Sequence, residues 1–249
     1  MTDTRPFGID VCSYEGQIDY AKLMAYVPKI EFLGARASIS FGYQDVTFAR
    51  NKAECLARGL PFMAYHVIYP KQTAISQMDN FYRVAGNSRK VLDFELAGDG
   101  GADPAPASPS VQAAILKACS DICLARDGIR PIIYSRRLLM NAWLVGWTAA
   151  MLNEHYYWMA EYMVDTASEH PGPVTLPNRV LRERAIIHQT SDHKSNAGMG
   201  VPVKKATDTG RWVGPMSIAQ FFGAAVPPPP PITDGEKLAR LWDYHPNLH

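Results

Sequence analysis

An irregular, TIM-like β/α barrel, an α/β fold in a single domain, is what this 249-residue sequence predicts. Three observations point there. Short apolar or β-branched runs recur along the chain, segments of helical spacing separate the early ones, and the alternation persists over most of the length. Strand alternating with helix argues for a parallel sheet, and its persistence favours closure over a split into two domains. Composition allows this, since 47% hydrophobic and 20% charged residues are the fractions of a chain with an ordinary buried core.

Seven runs read as strands: Phe7 to Cys12, Phe32 to Ile39, Pro61 to Ile68, Lys90 to Leu96, Pro131 to Ser135, Tyr156 to Tyr162 and Ala185 to Thr190. Their shortness and their β-branched and aromatic content separate them from helices. Between the early runs, Ile18 to Tyr26 carries Leu23 and Tyr26 at helical spacing, and Asp45 to Arg58 opens on an N-cap residue and ends at Gly59. Val111 to Arg126 follows Ser108-Pro109-Ser110 and stops at Gly128, the order expected of a helix start and stop. Helical spacing weakens after the fifth strand, which is why the barrel is expected to be irregular.

Ala97 to Ser110, rich in Gly, Pro and Ala, reads as a long loop after the fourth strand, where barrels build their active face. The barrel is expected over residues 1–223. Residues 224–231 end in a run of prolines, a stiff linker of about 3.1 Å per residue. In the tail, residues 232–249, Asp234 to Trp242 has the spacing of one short helix showing Leu238, Leu241 and Trp242, expected to fold back on the barrel.

A formal net charge of +1 without a long Lys or Arg run leaves no footprint for nucleic acid. No span of about 18 apolar residues occurs, so membrane insertion is not expected, and the opening Met-Thr-Asp-Thr-Arg-Pro lacks the apolar stretch of a signal peptide. Cys12, Cys55, Cys119 and Cys123 form neither a CxxC pair nor a zinc spacing, so no metal or cofactor is expected. Cys119 and Cys123, four apart among Ala, Ile and Leu, read as small buried hydrophobes.

The chemistry-bearing segment is Val91-Leu92-Asp93-Phe94-Glu95-Leu96. Side chains alternate along a strand, so Asp93 and Glu95 share one face while Leu92, Phe94 and Leu96 take the other. Two neighbouring carboxylates on an apolar strand are costly unless solvated, paired or protonated, and such a setting pushes their pKa values apart. Glycoside hydrolysis needs a pair of that kind. Asp-x-Glu alone also fits an exposed edge strand, so its weight comes from context. The ends of the other strands carry Asp10, Tyr65-His66, Tyr134-Ser135, Glu161-Tyr162, His188-Gln189 and then Asp192, which would gather acids and aromatics on one rim.

Gly8-Ile9-Asp10-Val11-Cys12-Ser13-Tyr14, with Gly16 and Ile18-Asp19-Tyr20, resembles the opening of glycoside hydrolase family 25, the Chalaropsis-type lysozymes. Arg36-Ala37-Ser38, residues 45–51, Tyr65-His66, Asp93-Phe94-Glu95, Pro131-Ile132-Ile133-Tyr134 and Trp158-Met159-Ala160-Glu161-Tyr162 follow in the family's order, over about residues 7 to 223. The resemblance implies a muramidase that cleaves the β-1,4 bond between N-acetylmuramic acid and N-acetylglucosamine in peptidoglycan. Glu95 would be the general acid, Asp93 a nucleophile or the group that orients a substrate N-acetyl, Asp10 an electrostatic stabiliser, and Asp192 a less secure fourth acid. Tyr65, Tyr134, Trp158 and Tyr162, with Arg36 and Gln189, would line the sugar groove, although each aromatic taken singly fits a core equally well. His66 and His188 read as hydrogen-bonded structural residues, and Lys204-Lys205 as a solvated turn.

One segment departs from the family. Its last strand commonly reads Val-Asp-x-Asn-x-Phe, and the matching stretch here, Met216-Ser217-Ile218-Ala219-Gln220-Phe221, has no acid. Either Ser217 replaces the aspartate or the match is displaced, with Asp208 supplying the charge from a loop. The resemblance further implies a phage or prophage endolysin, a monomer made in the host cytoplasm without a signal peptide and reaching the wall by holin, lysis or virion. The alternative is a virion module that binds peptidoglycan on the same barrel without turnover. A chitinase-like barrel is disfavoured, because Val91 and Arg89 stand where its fourth-strand aspartates would be.

Overall fold

The computed structural model describes residues 3–95, 107–162, 168–195, 198–202 and 206–223. Within them the strands are β1 (Phe7–Val11), β2 (Ile30–Ile39), β3 (Tyr43–Gln44), β4 (Phe62–Val67), β5 (Arg89–Asp93), β6 (Ile132–Arg136), β7 (Tyr157–Ala160), β8 (Ala185–Lys194) and β9 (Thr207–Trp212). The helices are α1 (Tyr20–Ala25), α2 (Phe48–Ala57), α3 (Ala74–Ala85), α4 (Pro109–Asp127), α5 (Arg137–Trp143), α6 (Ala149–Asn153) and α7 (Ile218–Gly223).

The sheet closes in the order β1-β2-β4-β5-β6-β7-β8-β9 and back to β1, and β3 is a short hairpin on β2. Neighbours from β1 through β8 are parallel, whereas β9 runs antiparallel to both β8 and β1. The expected irregular barrel is present, and its irregularity sits in the closing strand. A direct return from β8 to β9 can only reverse direction, because a parallel partner needs a crossover long enough to come back to the starting edge.

Local chemistry sets most helix ends. Asp19 accepts the N–H groups of Ala21 and Lys22 at the start of α1, and Ser108 with Pro109 opens α4, which ends at Gly128 in the left-handed region. The helix expected from Asp45 begins instead at Phe48, with Thr47 at its cap position. Asp45 still serves that start through Oδ1, which accepts the N–H and the hydroxyl of Thr47, while its Oδ2 lies 3.0 Å from Nε of Arg36 and accepts the N–H of Ser13. A second correction concerns residues 216–221. They are not a strand, since Ile218 to Phe221 belong to α7, and the last strand is β9 with Asp208 inside it rather than on a loop. Leu96, most of the loop from Ala97, Lys204-Lys205 and everything after residue 223, including the linker and tail, lie outside the described residues.

Outward side chains such as Ile9, Leu33, Leu92, Phe94 and Ile133 pack under Phe48, Phe81, Leu116, Cys119 and Cys123 of the helices. Inward ones form a separate cluster of Phe32, Met63, Val91, Ile132, Trp158, Ile187 and Trp212, with Phe221 of α7 stacked edge-on against Trp212 at 5.2 Å. Two glycines make room for the large rings. A Cβ on Gly8 would fall 2.3 Å from the Phe32 ring, and one on Gly34 would fall 2.8 Å from Trp158. The lower half of the barrel is therefore a packed apolar plug that fixes the height at which the polar layer begins.

Candidate active site

Period two along the strands builds the site directly above that plug. Two residues beyond Gly8, Gly34, Met63, Val91, Ile132 and Ile187 stand Asp10, Arg36, Tyr65, Asp93, Tyr134 and Gln189. On the reversed β9 the same step leads from Gly210 to Asp208. These side chains line one open cleft of about 1140 Å³, and every site residue expected from the sequence, including Glu95, Trp158, Tyr162 and Asp192, lies on its wall.

Asp93 is the last residue of β5 and is 8% exposed, while Glu95 lies just past the strand with its side chain 32% exposed. Phe94 pins this step between them. Its N–H donates to the Tyr134 carbonyl at 2.9 Å, its own carbonyl accepts the Ser135 hydroxyl at 2.6 Å, and its ring is buried edge-on against Trp143. Beyond it, Nε of Arg136 approaches Glu95 to 3.8 Å, and the Arg136 guanidinium also donates to the Tyr162 hydroxyl. The carboxylates thus extend from a strand end whose backbone is tied to the neighbouring strand.

Asp10 and Asp208 are partners across the β1–β9 pair. Burial pushes the Asp10 carboxyl well above the usual carboxylate range, and Asp208, Glu15, Asp93 and Glu95 push it further. Asp208 is raised in the same way, by burial first and then by Glu15, Asp192 and Glu95. Oδ2 of Asp10 is buried with no hydrogen-bond partner among the described residues. Facing carboxyls in such a setting share a proton rather than carry two full charges. Asp192 stands higher on the rim, where Nδ1 of His193 lies 2.6 Å from its carboxylate. Asp208 is the acid that stands opposite Asp10.

The remaining wall is held by specific pairs. The Tyr134 hydroxyl donates to Oε1 of Gln189 at 2.6 Å, and the Tyr134 ring stands edge-on to Trp158 at 5.7 Å. Burial and the surrounding acids raise the phenol of Tyr134 well above its ordinary value, so it remains a donor. Arg36 is locked by Asp45 and Ser13 and sits over the rings of Tyr14 and Tyr43. His66 is buried with Nδ1 2.8 Å from the Ser38 hydroxyl, and burial takes its pKa down to about 3. Nε2 of His188 meets the Glu161 carbonyl at 2.8 Å. Both histidines are structural, as their surroundings in the sequence suggested.

In the sequence alone Asp208 reads as a loop residue, and Glu15, Arg136 and Arg137, which also line the cleft, carry no site assignment. Asp208 was within reach, because Thr207-Asp208-Thr209-Gly210-Arg211-Trp212 alternates as a strand does. The two arginines carry no local signal, since they acquire meaning only from where β6 ends.

A comparison with curated protein sequences finds no match. Among solved structures, the bacterial lysozyme from Streptomyces coelicolor superposes with a TM-score of 0.72 at 22% identity, covering 90% of this chain and 98% of that one. A family 25 glycosyl hydrolase from Bacillus anthracis gives 0.70 at 16%, covering 90% and 96%. The catalytic domain of the endolysin ply40 from bacteriophage P40 of Listeria monocytogenes gives 0.61 at 13%, covering 89% and 98%. At these identities the likeness speaks for the fold. The sequence profile described as Glycosyl hydrolases family 25 matches residues 9–199, a span that runs from the strand bearing Asp10 past the one bearing Gln189, and the chain belongs to that family of glycoside hydrolases.

Proposed function

We propose that this glycoside hydrolase is an N-acetylmuramidase that cuts the β-1,4 bond between N-acetylmuramic acid and N-acetylglucosamine, with Glu95 as general acid. The observation that carries this reading is the placement of Asp93 and Glu95 together on the tethered end of β5, inside one cleft with Asp10, Asp208 and Tyr134. In this scheme Glu95 protonates the departing glycosidic oxygen. Asp93 then either attacks the anomeric carbon or holds the substrate N-acetyl group whose carbonyl oxygen attacks it. Positive charge grows at that carbon in the transition state, and the Asp10–Asp208 pair, which keeps its shared proton and carries one net negative charge, would stabilise it. Tyr134, whose hydroxyl proton goes to Gln189, offers its oxygen as a rigidly placed acceptor for a sugar hydroxyl or an N-acetyl N–H. An endolysin stands among the structural neighbours, and we infer that this chain too is a phage or prophage product, a monomer that reaches the wall by holin, lysis or virion.

Mass spectrometry of digested peptidoglycan tests the bond assignment. New reducing ends on muramic acid are expected, and reducing-end glucosamine or free peptide would overturn it. Glu95→Gln should lower the release of reducing sugar by about 10³-fold. Unchanged activity in that variant would remove Glu95 from the mechanism, and wall binding without product from the unaltered protein would favour a binding module.

A further inference from the structure

Among the described residues the cleft carries three guanidinium groups on its wall, and they are not equivalent. Arg36 is committed to Asp45 and Ser13, and Arg136 to Glu95 and Tyr162. Arg137, the first residue of α5, makes no side-chain hydrogen bond or ion pair with any other described residue. Beside it Leu138 also faces the cleft and is 69% exposed, an apolar side chain left open at the edge of an otherwise polar mouth. A cation and an aliphatic side chain in adjacent positions form a poor surface for a bare sugar, whose hydroxyls ask for polar donors and acceptors and whose ring faces ask for aromatics. They suit a short peptide that offers a carboxylate next to a methyl group.

Electrostatics sharpens the choice of ligand. Asp10, Glu15, Asp93, Glu95, Asp192 and Asp208 make the rest of the cleft anionic, so a negatively charged substituent is repelled from most of the wall. Among the described residues, only the β6–α5 rim carries guanidinium charge that no buried carboxylate cancels, as Arg36 is neutralised by Asp45. Resting on the muramidase reading, we propose that Arg137 is a specificity residue that takes a carboxylate of the peptide stem borne by the muramic acid, with Leu138 packing against the alanine methyl of that stem. The β6–α5 rim therefore sets which way round the glycan strand lies across Asp93 and Glu95.

The test compares two substrates made from one peptidoglycan: strands with stems intact, and the same strands stripped of stems by an amidase and then coupled to methylamine, so that the lactyl carboxylate exposed by the amidase is blocked. For Arg137→Gln the ratio of kcat/KM on stem-bearing to stripped strands should fall about tenfold relative to the unaltered protein, carried by KM, and Arg137→Lys should restore part of it. Leu138→Ser should lower the ratio by a smaller factor. An unchanged ratio in Arg137→Gln, or an equal loss on both substrates, overturns the inference while leaving the muramidase reading intact. If the unaltered protein cuts neither substrate, it is the muramidase reading that fails, and the inference falls with it.

Discussion

The two ends of the barrel are built from the same strands and have opposite physics. Below, Phe32, Met63, Val91, Ile132, Ile187 and Trp212 close on one another with Phe221 as the stopper. One step up, the same strands present Asp10, Arg36, Tyr65, Asp93, Tyr134 and Gln189 to an open cleft. The lower half is stabilised by removal of apolar surface from water and by close packing. The upper half holds acids that would rather be solvated, and Asp10 and Asp208 show the strain in their raised pKa values. Apolar packing in one half thus offsets a charge arrangement in the other that serves chemistry rather than stability.

Mutations that separate the halves test this contrast. Phe32→Ala empties a fully buried position and leaves a cavity beside Gly8, so it should cost about 3–5 kcal/mol in urea unfolding. Glu95→Gln, in contrast, should leave the unfolding midpoint where it is. A plug variant that unfolds no more easily, or an acid variant that does, would show that the halves are not divided in this way.

A smaller effect is expected at the acid pair. Because the folded-state pKa of Asp208 is raised, the stability linked to its proton is present at low pH and is lost as pH rises through the folded value. Asp208→Asn should therefore raise the melting temperature at pH 7, by about 1 kcal/mol or more of added stability, with the gain shrinking toward pH 4. The same variant should lose activity. A lower melting temperature at pH 7 would mean that the aspartate is paired rather than strained.

The smallest effect belongs to His155, buried beneath the barrel wall with Nε2 2.7 Å from the Ser120 hydroxyl and Nδ1 3.0 Å from the Met151 carbonyl. Burial takes its pKa down to about 4, so the unfolded chain binds a proton first and stability falls as pH drops from about 6.5 toward 4. His155→Gln should flatten the loss between pH 6 and pH 5 by about 1 kcal/mol, read from urea midpoints at the two pH values. An unaltered slope would show that the imidazole is already charged in the folded protein.

Legibility in the sequence followed the range of the interaction. Asp93 and Glu95 were readable because two acids on an apolar strand are a local contradiction, and Asp10 because its strand begins the chain with the same alternation. Asp45 was legible only in part. An acid two residues before Thr47 reads as a helix-start residue, a role its Oδ1 keeps by accepting from Thr47, and only the fold brings Arg36 to its Oδ2. Asp208 escaped for want of a partner in view, because nothing near residue 208 announces that its strand will pair antiparallel with residues 7–10.

By itself the chain determined the repeating strand and helix, the period-two placement of polar residues above apolar ones, and the acids on the fifth strand, since all of these are short-range patterns of side-chain direction and hydrophobicity. The tertiary structure alone decided which strand closes the barrel and in which direction. With that closure it decided that Asp208 faces Asp10, that Arg36 is neutralised, and that Arg137 has no side-chain partner among the described residues of the rim. Those outcomes depend on pairings between residues as much as 200 positions apart, such as Asp10 with Asp208, whose cost in chain entropy is met only by the packed interior as a whole.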